Sequence, residues 1–339
     1  MTFSKRVFTG ALILFLSVGV VLSAASQTSF KIATVSPDGS AWMRDLRRTT
    51  SLIEAQTEGR VSFRVYPGGV MGDDRAVLRK MRARQLQGGI VQTGVLEPIS
   101  SAVQLYNLPM FFRDFEEVTK VRSTMDSILL QDLADHGFEA LGFVGVGFAN
   151  AMSSKSGTSI NDARRLKVWA PKGDAGAVRL LDAFGIVPVP LSIVDVLAGL
   201  QTGLIDTVAV PPTAAIVLQW HTQLDYILDL PFMYIYSVFV LDARQFARLE
   251  PSDQELTRKT FRTFLSRVEQ QNYADHDRAL AALERQGLTV LTPSEEEIAV
   301  WRSAAERAAA AWVASDILVN DHVNMLEETV ATYRESTAR

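Results

Sequence analysis

Apolar and polar residues alternate in SFKIATVS (29–36) and again in RVSFRVYPGG (60–69), and between them the apolar spacing lengthens to that of a helix. Alternation puts successive side chains on opposite faces of a strand, whereas spacing near 3.6 gathers one stripe on a helix. The pattern predicts a first strand, then a helix with Ser40 as N-cap and Gly59 as its stop, then a second strand. MGDDRAVLRKMRARQLQGG (71–89) predicts a second helix closed by Gly88-Gly89, and IVQTGV (90–95) a third strand. A β-α-β-α-β order of this kind predicts a parallel sheet with covering helices.

The rhythm pauses and then restarts. Residues 116–137 have helical spacing, and FEALGFVGVGFANAMSS (138–154) is a long apolar strand segment. A short strand, Leu166–Ala170, carries Trp169 near its end. Then follow a helix over 173–185, a strand over 186–191, a helix over 192–203 and a strand over 204–212. This second alternation, beginning near residue 147, predicts a second α/β lobe. YSVFVLDARQFARL (236–249) returns to strand and then helix. The last ninety or so residues are helical in pattern. Ser252 with Glu255, and Thr292-Pro293-Ser294-Glu295, read as helix starts of the capping-box type. Ile298, Trp301, Ala305, Ala308 and Trp312 form an apolar stripe that predicts packing anchors rather than ligand contacts.

The N-terminus changes the picture of where the protein works. Lys5 and Arg6 precede a continuous apolar run, Ala11–Leu22, and Ser23-Ala24-Ala25 offers small residues for cleavage. This predicts a secretory signal peptide over residues 1–25, cleaved near Ala25. The apolar run is shorter than the ~20 residues that span a bilayer. The remaining length suggests about two domains. A formal charge of −4 argues against nucleic acid and anionic membranes as partners. The absence of cysteine excludes disulfides, thiol catalysis and thiolate metal sites. An exported, disulfide-free chain fits the periplasm.

Candidate chemistry is sparse. GVGFAN (145–150) lacks the third glycine of a dinucleotide loop and lies far from the first βαβ unit, so it reads as a strand passing between lobes. His136, His221, His276 and His322 are scattered without metal-site spacing, and His221 reads as a helix-surface residue beside Trp220. No phosphate loop or nucleophile elbow is present. No paired acid and base emerges from spacing, so no enzyme, cofactor or metal is expected.

The order of several segments resembles the solute-binding subunit of tripartite ATP-independent periplasmic (TRAP) transporters. The stretches that carry the likeness are EGRVSFRVYPGGVMGDDRAVLRKMRARQLQGG (58–89), YNLPMFFRDFEEV (106–118), PLSIVDVLAGLQTGLIDTV (190–208) and residues 220–254. The resemblance implies an α/β, two-lobed periplasmic solute-binding fold with a long helix spanning both lobes. It implies lobe I over 26–147 and 236–275, and lobe II over 148–235 and 276–339. It also implies ligand capture in the cleft and delivery to small and large membrane permease subunits, without covalent chemistry.

Against that pattern this chain departs at three polar positions. The family's arginine after Gly-Leu-Lys-Ile matches Trp169, the arginine after Gly-Phe in the crossover matches Ala149, and an asparagine matches Val210. Losing a guanidinium–carboxylate pair costs roughly 2–5 kcal/mol of binding. The expectation is therefore a less ionic, more apolar pocket, with Trp169 at the cleft floor and Gln92, Thr93, Asp174, Trp220, Tyr234 and Tyr236 holding the ligand's polar end. Two alternatives stand beside it. In one, Arg164, Arg165, Lys172 or Arg179 binds an acid in the conventional way; in the other, the scaffold is a periplasmic enzyme. Asp206 matches an Asp that the family keeps and reads as structural.

Overall fold

The computed structural model describes residues 27–315 and 317–337. The expected signal peptide lies outside these residues. The elements run β1 (Thr28–Thr34), α1 (Ala41–Gln56), β2 (Val61–Tyr66), α2 (Asp74–Arg82), β3 (Gly88–Gln92), α3 (Phe115–Asp135), β4 (Phe138–Ser153), α4 (Ile160–Ala163), β5 (Trp169–Pro171) and α5 (Ala175–Ala183). There follow β6 (Val189–Leu191), α6 (Val196–Gln201), β7 (Thr207–Val210), α7 (Pro212–Val217), β8 (Tyr226–Asp242), α8 (Ala243–Phe246), α9 (Pro251–Arg285), β9 (Thr289–Leu291), α10 (Glu295–Ala314) and α11 (Asn320–Thr337).

Two long strands organise everything else. β4 and β8 run antiparallel along their whole length, and the sheet order is β2-β1-β3-β8-β4-β7, with β9 on the other flank of β8. β1 pairs in parallel with β2 and β3, as the first alternation predicts. β3 joins β8 over residues 237–241, whereas β7 joins β4 over 150–153 and β9 joins β8 over 226–228. One end of the β4–β8 ribbon thus belongs to each lobe. β5 and β6 pair in parallel, and a bridge from Val168 to Thr207 ties them to β7. Between the two halves the register slips, at Gly145/Gly147 and again at Ala149/Asn150. Gly147 has φ +135°, a backbone state that L side chains rarely adopt, so the chain bends there at little cost.

α9 is the long helix that spans both lobes. Its 35 residues reach about 50 Å. Phe261, Phe264, Leu265 and Val268 enter the lobe I core with Phe30, Ile32, Leu141 and Phe239. One end later, Leu283 enters the lobe II core with Met152, Val208 and Ile227. A third cluster covers the opposite sheet face, from Val77 of α2 through Val121 and Leu129 of α3 to Leu180 of α5 and Trp301 of α10. The stripe residues Trp301, Ala305, Ala308 and Trp312 are buried, and Trp301 packs edge-on against Phe184 and Phe232. The last helix, expected with lobe II, packs instead on α3, where Arg334 forms a two-pronged pair with Glu117.

Several local boundaries differ from expectation. α2 ends at Arg82, and Arg84 takes φ +58° to turn the chain. Gly88 and Gly89 do not close that helix; they belong to β3. A Cβ at Gly88 would collide with Val240 O and Leu241, and one at Gly89 with Val77, so the central strands could not close with larger residues. α9 begins at Pro251 without a side-chain cap, so Ser252 does not open it. In α10 the box is Ser294 with Glu297, two residues later than the Thr-Pro reading placed it. Trp169 opens β5 rather than ending a longer strand. The shortening follows from pairing: before Trp169, Leu166 and Lys167 have no partner strand, and only Val168 makes an isolated bridge.

Candidate functional site

In open parallel sheets, ligands bind where strand ends meet. Here the carboxyl end of β3 meets the start of α5 across the lobe gap. Gln92 is the last residue of β3, and Thr93-Gly94 opens a turn of 3-10 helix. A Cβ on Gly94 would collide with the Asp174 carboxylate of lobe II, so only glycine lets that group lie against the backbone. Asp174 caps α5 through Ala177 N, at 2.9 Å. Burial pushes its pKa up, and the neighbouring Glu97 charge pushes the same way. Nearby, Arg75 of lobe I lies on Gly173, and Gly69 of lobe I lies against Val194. The lobes are in contact along this edge.

Asp74 is the functional candidate that pattern reading missed. It occupies the first turn of α2, a place where a carboxylate usually reads as helix capping. Yet Asp73 supplies the cap, accepting from Ala76 N. Asp74 turns inward instead. It is buried, one oxygen accepts from Gln92 N at 3.0 Å, and Oδ1 has no partner. Burial pushes its pKa up to about 7, with the Asp73 charge adding to the shift. A buried carboxyl with an idle oxygen at the end of a strand is costly unless something pairs with it. Asn150, 2 % exposed and opposite Val210, is a second such group: its Nδ2 donates to Leu228 O and its Oδ1 is idle.

The structure brings some predicted site residues together and separates others. Trp169, Val210 and Trp220 share the lobe II core, with the two indoles edge to face at 5.2 Å. The Trp169 ring is turned into that core, and its Nε1 donates to Leu191 O at 3.0 Å. It is 5 % exposed, so the broad stacking face expected of it is occupied by protein. Ala149 is fully buried on β4 outside that cluster. Gln92, Thr93 and Asp174 meet at the lobe contact, but the Thr93 hydroxyl is committed to Asn107 Oδ1 and Tyr236 O. Tyr234 and Tyr236 are fully buried. Their hydroxyls go to Tyr273 and to Val103 O, and burial raises both pKa values. The two tyrosines therefore correct the expectation: they pack the core beside α3 instead of holding a ligand's polar end. Asp206 is structural as expected, bonding Lys155 Nζ and Lys167 N at 2.7 Å each.

The indole's role is testable through its one polar atom. Trp169→Phe keeps an aromatic ring but loses the bond to Leu191 O and some volume. It should destabilise the protein by about 1–2 kcal/mol in urea denaturation. A ring lying free in the cleft would instead leave stability unchanged.

The other cations that could meet an acid are largely spoken for. Arg164 donates to Phe184 O and Asn161, and Arg165 pairs with Asp162. Arg179 faces Glu97 at 2.7 Å. Lys172 is exposed beside the Arg75–Gly173 contact, with no acidic partner among the described residues. An apolar cavity of about 80 Å³ lies elsewhere, lined by Val168, Leu180, Phe184, Ala209, Phe232 and Trp301. Val168 and Ala209 alternate with Trp169 and Val210, so it occupies the other face of the lobe II strands and is no part of this site.

Comparison with known proteins fits the geometry. The model of the DctP family, described as bacterial extracellular solute-binding protein, family 7, matches residues 32–316. A C4-dicarboxylate-binding periplasmic protein of Rhodobacter capsulatus is 26 % identical over 164 residues, 48 % of this chain and 49 % of that protein. The chain spans about half the length of the curated relatives it matches. A TRAP solute-binding protein of Desulfovibrio salexigens with bound orotic acid superposes with TM-score 0.82 at 17 % identity, covering 90 % of this chain and 99 % of that one. One from Haemophilus influenzae with bound L-gulonate gives 0.83 at 18 %, covering 89 % and 100 %. At these identities the likeness shows the fold.

Proposed function

The chain belongs to the bacterial extracellular solute-binding protein family 7, and from that membership we propose that it is the solute receptor of a tripartite ATP-independent periplasmic transporter. It works in the periplasm, captures a small organic ligand between its lobes and hands it to the small and large membrane subunits of the permease. The fold supports this reading, because two crossing strands with register slips at the lobe boundary form a hinge. Among the described residues no helix is long and apolar enough to cross a membrane.

The ligand is a small molecule that offers hydrogen-bond donors and is bound with little ionic help. One observation carries this. No guanidinium stands at positions 149, 169 and 210, whose Ala, Trp and Val pack into the protein, while an idle polar atom at the end of β3 is a carboxyl oxygen, Asp74 Oδ1. A carboxyl favours donors and repels a ligand carboxylate. The second reading is an acid held by Lys172. It is favoured by that exposed ammonium beside Arg75 at the lobe contact, and by the acids bound in the two solved relatives.

A thermal-shift panel separates them. A ligand at 100 times its Kd adds about 2.7 kcal/mol. Neutral hydroxylated or amine-bearing ligands should shift the midpoint, and Asp74→Asn should reduce that shift. If small acids alone stabilise, and Lys172→Ala abolishes their effect, the acid reading replaces the first. Chemical conversion of a stabilising ligand, seen by mass, would overturn the receptor reading itself.

A further inference from the structure

Away from Asp74, the contact between the lobes buries a group of polar side chains. Lobe I contributes Glu97 and Gln104, and lobe II contributes Asp174 and Arg179 from α5. Arg179 Nη2 lies 2.7 Å from Glu97 Oε2, with the two side chains 28 % and 11 % exposed. The guanidinium also sits 5.5 Å above the Trp312 ring of α10, which fixes it from the lobe II side. Gln104 is 2 % exposed, and its Oε1 lies over Gly176 at the start of α5, where a Cβ would collide with it. Asp174 lies on Gly94 in the same way.

The cluster is in contact but poorly satisfied. Glu97 Oε2, Arg179 Nε and Nη2, and Gln104 Nε2 are all buried without a well-aligned hydrogen bond. The charges attract at contact distance, yet the N–H groups do not point at the oxygen. Bringing them together removes water from each, and that desolvation offsets much of the attraction. A contact of this kind favours the closed arrangement without locking it. A receptor that must both hold and release needs such a closed state, since closure that costs nothing to keep would trap the ligand.

We infer that the Glu97–Arg179 pair, seated by Trp312 and flanked by Gln104, is the latch that sets how much of the protein is closed, and so how long a ligand is retained. Both residues are positioning residues: they act on the ligand through the lobes. The inference rests on the two-lobed receptor reading, but its test needs no ligand.

The chain has no cysteine, so Leu52→Cys on α1 and Val187→Cys beyond α5, 47 % and 81 % exposed, give one spin label on each lobe. Dipolar distance measurement on the ligand-free protein then reads the closed and open populations. Arg179→Ala, and the near-isosteric Glu97→Gln, should each lower the closed-to-open ratio by about tenfold, the scale of a part-buried ion pair. Exchanging the charges, Glu97→Arg with Arg179→Glu, should recover most of the closed population. A distance distribution unchanged in both single variants, or an exchange that recovers nothing, overturns the latch. Melting curves confirm that each variant is folded, and Glu97→Gln keeps the test open if Arg179→Ala is not. Failure here would leave the ligand panel untouched, and the reverse also holds.

Discussion

Arg122→Ala will destabilise the protein by about 3–5 kcal/mol, a large share of a domain's total stability. Arg122 on α3 is 10 % exposed and holds two carboxylates at once, Asp126 one turn on and Glu269 on α9, which is 15 % exposed. It also donates to Phe143 O. Glu269 in turn accepts from Gly145 N at 2.8 Å and from the Tyr273 hydroxyl at 3.0 Å. The network ties α3, β4 and α9 together beside the register slip that begins at Gly145. Removing the guanidinium leaves two part-buried carboxylates facing each other's field, and that uncompensated charge is the main cost. Replacing the whole set, Arg122→Met with Asp126→Leu and Glu269→Leu, should cost much less than the single change. Urea denaturation of the three proteins decides it. A single variant as stable as the parent would mean that the network contributes nothing at the hinge.

Asp74→Asn should do the opposite at neutral and alkaline pH. The carboxyl's pKa stands near 7 in the fold against 3.8 in its ordinary state. The folded protein therefore binds this proton more tightly than the unfolded chain. Stability from this group is fully present below about 4 and is lost as pH rises through about 7, up to about 4 kcal/mol in all. Asparagine cannot ionise and keeps an oxygen for Gln92 N. The variant should thus match the parent at pH 4 and exceed it at pH 8, with a flatter stability–pH curve between. Denaturation at those two values reads the effect. Equal stability of the two proteins at pH 8 would show that the carboxyl is relieved there by a partner. On the binding role proposed for Asp74, stability is given up here for ligand affinity. The same variant should accordingly lose ligand affinity while gaining stability.

Much of the fold was legible along the chain because its signals are local. Ser40 caps α1 through Met43 N, and Gly147 lies where the lobes divide. The tryptophans of α10 anchor its buried face, and the two strand–helix alternations mark the two lobes. The non-ionic residues Ala149, Trp169 and Val210 were also visible as residue types. Their surroundings were not. A short strand has two faces, and pattern alone does not say which one the gap between lobes will claim. Val208, Val210 and the indole of Trp220 drew Trp169 inward, whereas Tyr234 and Tyr236 packed into a separate cluster with Val103 and Tyr106.

The amino-acid sequence by itself determined most of the secondary structure, the two-lobed order of segments and the non-ionic residues at positions 149, 169 and 210. Caps, periodicity and residue chemistry act over a few neighbours, so they can be read one stretch at a time. Only the tertiary structure decided which polar groups were left idle. Asp74 became unusual when β3 ended against it, and Glu97 met Arg179, 82 positions further along the chain, when the lobes came together. Burial and electrostatic pairing depend on what the far chain brings, and no local pattern carries that information.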